Sequence, residues 1–333
     1  MAEALIQFTE RGLYCAAGDF YIDPTRGVDR AVITHAHSDH ARGGSRRYLA
    51  ARTCVPLLRE RLGARIAVEA VEFGRPIHVN GVRVSLHPAG HILGSAQVRV
   101  EHRGAVWAVS GDYKTEPDAT CELFEPVRCH TFITEATFGL PSYCWEPQTK
   151  LFGDINDWWR ENQRRGRLSV LFGYALGKAQ RLLAGVDGSI GPIALHPQAR
   201  RYARAYELAG MRLPQTTHHS EGALVIAPPM PNDAPWLRKL GDVSIAFASG
   251  WMLARGAAQQ RGFDRGFALS DHADWNGILA TVRATGAKSV GVTHGSTATL
   301  VRWLRKNGWD AWPVERKQRA QHACDDEAQM MLF

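Results

Sequence analysis

Short apolar runs recur along the chain, and several of them end directly before residues that carry chemistry. The runs "AVIT", "VRVSL", "AQVRV", "AVWAV", "TFIT" and "SVGVT" are rich in β-branched residues and are bounded by glycine or polar residues, which predicts strands. Two of these strands are expected near residues 82–86 and 96–100, with a turn between them. If such strands lie in packed sheets, their ends can gather at one edge and build a site from residues that are distant in sequence.

The middle of the chain follows a different pattern. From about Leu168, strand-like runs such as "LSVLF", "PIALH" and "ALVIA" alternate with helix-like stretches such as "KAQRLLAGV" and "PQARRYARAYELAG". This alternation predicts a parallel, doubly wound α/β domain. The block ends near Gly250, and residues that bind metals resume at Asp271. The predicted organisation is a first domain over 1–150, an inserted α/β domain over 151–255 and a return to the first domain over 256–333.

Composition narrows the class of protein. The 333 residues allow two domains or one domain with a large insertion, and 45% hydrophobic with 22% charged residues is ordinary for a globular protein. The chain has no apolar stretch of about 18 residues and no basic-then-apolar leader, so we expect no membrane span, no secretory signal and a cytoplasmic location. The six cysteines form no C-x-x-C pair, which argues against disulfides and thiolate zinc sites. A net charge of +7 is compatible with an acidic partner such as nucleic acid.

The most informative segment is "THAHSDH", which directly follows one of the apolar runs. It places His35, His37, Asp39 and His40 within six positions, and imidazole and carboxylate are ligands that suit zinc. Residues two apart in an extended segment point the same way, so His35 and His37 can bind one ion. Asp39 and His40 follow round the turn and can reach a second ion.

Two neighbouring ions about 3.5–4 Å apart need a shared ligand, and a carboxylate with two oxygens suits that position. Asp112 is the candidate for this bridge, His91 completes the first site, and His294 completes the second. A water molecule held between two such ions becomes a nucleophile at neutral pH. A single histidine is usually just a polar side chain, so the prediction depends on the H-x-H-x-D-H string.

Six motifs taken together resemble a known family. "THAHSDH" is the signature of the metallo-β-lactamase superfamily, and "PAGHILGSAQV", "SGDY", "TEATFG", "LSDHADW" and "VTHGS" then resemble, in order, the motifs of its β-CASP nuclease branch. The resemblance extends from about Tyr21 to Ser296. It implies an α/β fold, in which an αββα metallo-β-lactamase sandwich carries an inserted β-CASP domain. It also implies two zinc ions, with manganese as a possible working metal.

The resemblance assigns roles to individual residues. Asp23 matches the aspartate that supports the ligand segment, and its alternative Asp19 fits less well. Glu135 matches the acidic residue of the first β-CASP motif, and His272 matches the histidine of the second, which is placed to protonate the leaving oxygen. The implied ligands are His35, His37 and His91 for one ion and Asp39, His40 and His294 for the other, with Asp112 bridging.

The resemblance leaves the substrate open between DNA and RNA. His294 is a histidine, as in the RNA-processing members, whereas cross-link repair nucleases carry valine there. The size of the chain and its ending are most similar to bacterial ligase-associated DNA exonucleases. This similarity favours a single-strand DNA exonuclease in DNA repair that is associated with an ATP-dependent DNA ligase. The alternatives are an RNA-processing nuclease, a small-molecule hydrolase, which would lack the insertion, and a silent scaffold, which would lack the ligands.

Further candidates for contacts with a substrate phosphate lie in the predicted insertion. Lys178 and Arg181 stand where a loop enters a helix, and they either bind a phosphate or lie on a solvated helix face. Gly250 is a candidate for a close approach of the backbone to the substrate, and Arg255 is a candidate phosphate contact. Trp251 is a candidate for stacking on bases, whereas Trp158 and Trp159 are expected in the core. Three basic clusters either contact the phosphates of a nucleic-acid backbone or belong to an ordinary solvated surface: Arg42/Arg46/Arg47, Arg160/Arg164/Arg165/Arg167 and Arg200/Arg201/Arg204. His218 and His219 are assigned no role.

Overall fold

The computed structural model describes residues 4–218 and 221–314. His219, Cys324 and the closing segment 315–333 lie outside the described residues. The chain divides into two units. The outer unit takes the residues up to Cys144 and resumes at His272, and the inserted unit runs from Trp145 to Asp271. Each unit has its own sheets and its own core.

The outer unit begins with a six-stranded sheet. Its elements are β1 (Gln7–Thr9), β2 (Gly12–Cys15), β3 (Phe20–Ile22), β4 (Arg30–Val32), β5 (Arg47–Ala51), a 3₁₀ turn (Arg52–Cys54), α1 (Val55–Leu62) and β6 (Val68–Val71). The strands follow chain order across the sheet, antiparallel from β1 to β3 and parallel from β3 to β6. Helix α1 buries Leu57 and Leu58 on its apolar side.

A second sheet of the outer unit starts with an antiparallel meander. Its strands are β7 (Ile77–Val79), β8 (Val82–Pro88), β9 (Ala96–His102), β10 (Ala105–Val109) and β11 (Thr131–Glu135). The two strands predicted near 82–86 and 96–100 are β8 and β9, and both are longer than predicted. The β10–β11 pair is parallel.

The inserted unit alternates helices and strands. Its elements are α2 (Gln148–Arg164), β12 (Leu168–Phe172), α3 (Lys178–Gly185), β13 (Ile193–Leu195), α4 (Pro197–Leu208), β14 (Leu224–Ala227), α5 (Pro235–Arg238), β15 (Val243–Ala248), a 3₁₀ turn (Gly250–Leu253), α6 (Ala257–Gln260) and β16 (Arg265–Phe267). All five strands are parallel, in the order β13-β14-β12-β15-β16. The predicted parallel α/β insertion is therefore confirmed.

Both faces of this five-stranded sheet are buried, because successive strand residues point to opposite sides. On β12, Leu171 packs with Trp158 and Trp159 of α2, whereas Val170 and Phe172 pack into a separate cluster on the other face. The Nε1–H of Trp159 donates to the Gly222 carbonyl at 2.9 Å. The two adjacent tryptophans are thus core residues, as the sequence predicts.

The chain then returns to the outer unit and completes the second sheet. The elements are α7 (Trp275–Thr285), β17 (Ser289–Thr293), α8 (Thr297–Lys306) and β18 (Asp310–Pro313). The sheet has seven strands in the order β18-β17-β11-β10-β9-β8-β7, and the strands from β10 to β18 are parallel. Helices α7 and α8 bury Ile278 and Leu300 against Phe132 and Val290 of the sheet. A unit with two sheets, interrupted by a parallel α/β unit, confirms the predicted fold class.

The two unit boundaries lie at 144/145 and 271/272, whereas the sequence predicted 150/151 and 255/256. The later C-terminal boundary has a direct cause. Strand β16 pairs with β15, with Ala246 opposite Arg265, so the chain stays in the inserted sheet beyond residue 255. None of the helices in the described part of the chain is long and apolar enough to cross a bilayer.

Candidate metal centre

The candidate site forms where strands of the outer unit end. β10, β11 and β17 are adjacent and parallel, so their carboxyl ends share one edge of the seven-stranded sheet. Asp112 follows β10, Glu135 ends β11, and His294 follows β17. Residues 35–40, hereafter the ligand loop, follow β4 of the other sheet. Ligands that are distant in sequence therefore come from neighbouring strand ends.

Asp23 holds the start of the ligand loop. Its Oδ1 accepts the Thr34 N–H at 2.8 Å, and its Oδ2 accepts the Thr34 hydroxyl at 2.5 Å and the His40 Nδ1–H at 2.7 Å. The sequence predicted that this strand ends at Thr34. In the structure β4 ends at Val32, because the Thr34 amide donates to the Asp23 carboxylate instead of to a neighbouring strand. The alternative residue Asp19 accepts a hydrogen bond from the Tyr14 hydroxyl instead.

These hydrogen bonds fix which imidazole nitrogens face the site. The Thr34 hydroxyl donates to Asp23, so its oxygen accepts from Nδ1–H of His35, 3.1 Å away. His40 likewise donates from Nδ1 to Asp23. Both rings therefore present Nε2 to the site. Such outer partners are typical of histidines that bind metals, because they set the tautomer and the ring orientation.

Two groups of ligand atoms share Asp112. In the first group, His37 Nδ1 lies 3.0 Å from His91 Nε2, and Asp112 Oδ2 lies 3.5 Å from His35 Nε2 and 3.8 Å from His91 Nε2. In the second, His40 Nε2 lies 3.3 Å from Asp112 Oδ1 and 3.4 Å from Asp39 Oδ2. The ligand atoms of each group lie within 4.8 Å of one another. One carboxylate oxygen of Asp112 thus faces each group.

The donor set fits a divalent cation. Within the described ranges, Nε2 of His35 is buried and has no hydrogen-bond partner. A buried polar atom without a partner is costly, so native structures rarely keep one unless a ligand satisfies it. Converging imidazole nitrogens and carboxylate oxygens suit zinc, and manganese accepts the same atoms.

Electrostatics in the metal-free cluster depends on burial and on close charges. Burial, together with the charge of His40, lowers the pKa of His35 well below its ordinary value. Burial also opposes a charge on His40, but Asp112 and Asp39 outweigh it and raise the pKa of His40 well above its ordinary value. Burial acts against ionisation of Asp112, yet His40 and His35 hold the pKa of this carboxyl well below its usual range. Without metal, His40 therefore carries a proton that a metal must displace.

His294 lies near the second group but outside it. Its ring centroid is 5.4 Å from that of His40, and it does not belong to the described groups within 4.8 Å. Its φ of 56° is a left-handed conformation that is uncommon for residues other than glycine. Gly295 follows with a φ of 60°, and a Cβ there would lie 2.2 Å from the Ala136 carbonyl oxygen. Strain of this kind is concentrated at functional sites. The predicted role of His294 as a ligand stays a prediction.

Glu135 and His272 form a dyad beside the ligands. His272 Nδ1 lies 2.9 Å from both carboxylate oxygens of Glu135, and the two residues form a third group of nearby ligand-type atoms with Asp112. The Tyr113 N–H at 2.8 Å and the Thr137 hydroxyl also donate to Glu135. Because the carboxylate accepts the Nδ1–H, the Nε2 of His272 is left for other chemistry.

The sequence is similar to those of several known proteins. No protein-family model matches the sequence. The chain is 33% identical to a probable DNA ligase of Opitutus terrae over 310 residues. This alignment covers 91% of this chain and 30% of the ligase. It is 30% identical to the endoribonuclease YSH1 of Saccharomyces cerevisiae over 122 residues. This alignment covers 36% of this chain and 15% of YSH1. A third relative, the endoribonuclease ysh-1 of Neurospora crassa, is 28% identical over 148 residues, or 42% of this chain and 16% of that protein.

The chain is a relative of the β-CASP metallo-β-lactamase nucleases. This relationship confirms the resemblance that the ordered motifs predict. The chain spans 30%, 15% and 16% of the lengths of these three relatives, so their activities belong to longer proteins.

The inserted unit holds the residues predicted to bind substrate phosphates, and two of them are buried. Lys178 and Arg181 are 2% and 3% exposed, and both pair with Asp271, with 2.9 Å from Lys178 Nζ to Oδ2 and 2.8 Å from Arg181 Nη1 to Oδ1. Lys178 also donates to the Leu269 carbonyl at 2.5 Å, and Arg181 donates to the Ser270 carbonyl. This burial contradicts a solvated helix face, and the phosphate contact stays a prediction. The sequence gives no sign of Asp271 as their partner.

The remaining basic and aromatic candidates are spread over both units. Gly250 is buried at the start of its 3₁₀ turn, Arg255 is exposed, and Trp251 is partly buried. All four arginines of the run in and after α2 are paired with carboxylates: Arg160 with Asp157 and Asp187, Arg164 and Arg165 with Glu161, and Arg167 with Asp242. Arg46 pairs with Asp29, while Arg42, Arg47, Arg200, Arg201 and Arg204 are exposed. These pairings favour a structural surface for the α2 run.

Proposed function

We propose that this chain is a metal-dependent nuclease that hydrolyses phosphodiester bonds, and that it acts as a single-strand DNA exonuclease in DNA repair. The observation that carries the proposal is the Asp112 carboxylate, which presents one oxygen to each of two ligand groups beside the Glu135–His272 dyad. A pair of metal sites with a shared carboxylate and an adjacent imidazole is suited to phosphodiester hydrolysis.

The ligand residues divide between two ions, for which zinc or manganese is proposed. The proposed set is His35, His37 and His91 for one ion, Asp39, His40 and His294 for the other, and Asp112 for both. Two ions held by these residues would acidify a water molecule and neutralise charge on the phosphate. Asp23 orients the His40 ring directly and the His35 ring through Thr34. The six imidazole and carboxylate groups of the first two ligand groups are buried or half-buried, which limits competition from bulk water for these positions.

Cleavage of a phosphodiester expels an alkoxide that needs a proton. We assign that proton to Nε2 of His272, because Glu135 accepts the hydrogen of Nδ1 and so fixes the ring. Imidazole is the side chain that enzymes use most often as a general acid. Glu135, which is 1% exposed, also stabilises the imidazolium before the proton is transferred. Glu135 is thus a positioning residue, and His272 is the general acid.

DNA is preferred as the substrate because the similarity to a probable DNA ligase extends over 91% of this chain. The same similarity supports a functional association with an ATP-dependent DNA ligase. The second candidate is an RNA-processing nuclease, which the similarity to the endoribonucleases YSH1 and ysh-1 favours. Two-metal hydrolysis needs no 2′-hydroxyl, so the chemistry of the site permits both substrates.

The test is a cleavage assay on 5′-labelled single-stranded DNA and RNA of one sequence, with zinc or manganese. The Asp112→Ala protein is the control for contaminating nucleases. Degradation of DNA with RNA spared supports the proposal, and single-nucleotide products support the exonuclease mode. Preferential degradation of RNA establishes the second candidate. If the native chain cleaves neither substrate, the nuclease proposal is wrong.

A further inference from the structure

We propose that Arg61 is a positioning residue that sets the metal affinity of the ligand loop. Arg61 lies in the last turn of α1, and its Nη1 donates to the Ala36 carbonyl at 2.8 Å and to the Ala41 carbonyl at 3.2 Å. Ala36 stands between His35 and His37, and Ala41 directly follows His40. One guanidinium nitrogen therefore joins two backbone positions that enclose His37, Asp39 and His40.

The two carbonyls need this donor. Ala36 and Ala41 are 0% and 1% exposed, and buried carbonyl groups are almost always hydrogen-bonded. Within the loop, the Ala41 N–H and the His40 N–H both donate to the His37 carbonyl, at 2.8 Å and 3.3 Å. These local bonds shape the turn, but they do not attach it to a neighbouring element. The bonds from Arg61 attach it to α1.

Arg61 and Asp23 act on different parts of the same segment. Asp23 fixes Thr34 and the ring of His40 by side-chain contacts. Arg61 instead fixes the backbone at Ala36, near the start of the loop, and at Ala41, directly after it. His37 receives its position from that backbone. A planar guanidinium has several donors in a fixed geometry, so lysine cannot reproduce its contacts fully.

Without Arg61, the loop can relax outward when no metal is bound. Metal binding must then order the loop again, and this cost weakens the affinity. Loss of an outer partner of metal ligands typically lowers metal affinity by about 10-fold to 100-fold. We expect an effect near the lower end for Arg61→Met, because Asp23 still holds His40. The inference rests on the proposed metal centre, but it does not depend on whether the substrate is DNA or RNA.

The experiment measures the zinc dissociation constant of the full chain by competition with a chromophoric chelator. Arg61→Met is compared with Arg61→Lys and with Arg59→Met, a control at an exposed arginine of the same helix. We expect about tenfold weaker binding for Arg61→Met, an intermediate value for Arg61→Lys and the native value for Arg59→Met. Thermal unfolding with and without zinc is measured in parallel, and the zinc-dependent rise in melting temperature should shrink for Arg61→Met. A purely structural role would lower both melting temperatures equally.

The outcomes separate the inference from the proposed function. Native zinc affinity in a folded Arg61→Met protein overturns the inference and leaves the metal centre intact. Absence of zinc binding by the native chain overturns the metal centre itself. If Arg61→Met does not fold, the Arg61→Lys protein decides, since weaker zinc binding supports the inference and native binding contradicts it.

Discussion

Two clusters of buried ionisable side chains, one in each unit, differ in how their members are satisfied. In the outer unit, imidazole nitrogens and carboxylate oxygens converge, and Nε2 of His35 has no hydrogen-bond partner within the described part of the chain. In the inserted unit, the Asp271 cluster brings together Lys178, Arg181 and Asp271, where opposite charges meet at 2.8–2.9 Å. The first cluster gathers several lone pairs that a cation would satisfy, whereas in the second cluster one carboxylate contacts both cations.

This difference shows that burial of charged residues does not by itself indicate a binding site. Buried charges are tolerated when they are paired and hydrogen-bonded, and then they belong to the architecture. They indicate a ligand when lone pairs converge and no donor of the protein reaches them. The predictions below test this distinction, beginning with the largest expected effect.

The Asp271→Asn substitution should destabilise the inserted unit strongly. It removes the carboxylate that both buried cations contact, and breaking a buried ion pair in this way costs roughly 3–5 kcal/mol in the free energy of unfolding. Urea unfolding of the metal-free protein measures the change. The control is Glu161→Gln on α2, where an exposed carboxylate pairs with Arg164 and Arg165, and we expect a change of about 1 kcal/mol or less there. Equal changes for the two substitutions would contradict the structural role of the Asp271 cluster.

The substitution His272→Ala, at the next residue, should reduce the cleavage rate and leave the stability of the fold nearly unchanged. Loss of a general acid slows phosphodiester cleavage by roughly a hundredfold or more, about 2.7 kcal/mol in the activation free energy. Glu135 keeps its bonds from Tyr113 and Thr137, so the fold and the metal content should be retained. Cleavage rates and metal analysis on the same preparation measure both effects. Cleavage at the native rate would show that the proposed role of His272 is wrong.

The sequence predicts the parts of the site that depend on local chemistry. The ligand loop is contiguous, and Asp23 precedes its contacts Thr34 and His40 by only 11 and 17 residues along the chain. The grouping of His91 and Asp112 with this loop was predictable because each follows an apolar run that forms a strand.

Features that depend on distant partners could not be predicted. Lys178 at the start of a helix has the same local sequence whether it faces solvent or Asp271, which is far along the chain. Strand β16 has only three residues, so its pairing with β15 left no periodic signal, and the predicted boundary near 255 was too early. The donation from Arg61 to Ala36 and Ala41 likewise has no signature in the spacing of residues.

Metal should stabilise the outer unit through Asp112. Zinc at one hundred times its dissociation constant stabilises a protein that binds it only when folded by about 2.7 kcal/mol. We expect a zinc-dependent rise in the melting temperature of the native chain, reversal by a chelator, and loss of the rise together with all cleavage in Asp112→Asn. The Asp271→Asn protein is the matched control, because it should unfold more easily yet keep its response to zinc. A zinc response that survives in Asp112→Asn would argue against the bridging role.

Acidification should weaken metal binding through His40. In the metal-free protein, burial opposes a charge on His40, but Asp112 and Asp39 raise its pKa well above the ordinary value. A metal bound at Nε2 displaces that proton, so the apparent affinity should fall about tenfold, or about 1.4 kcal/mol, for each pH unit below the raised pKa. Calorimetric titrations in buffers of different ionisation enthalpy would count the released proton, and no release would contradict the prediction.

The raised pKa of His40 also affects the stability of the metal-free protein, which should fall with rising pH while the metal affinity increases. A histidine whose pKa is higher in the folded state than in the unfolded state stabilises the folded protein when it is protonated. This stabilisation is complete below the unfolded-state pKa, which is about 6.5. This contribution is lost as the pH rises through the raised pKa of His40. Rising pH should therefore destabilise the metal-free protein in this range and strengthen its binding of metal. Urea unfolding with chelator at several pH values measures this slope, which should reach at most about 1.4 kcal/mol per pH unit. A slope of the opposite sign would mean that His40 is not the charged partner of Asp112 and Asp39.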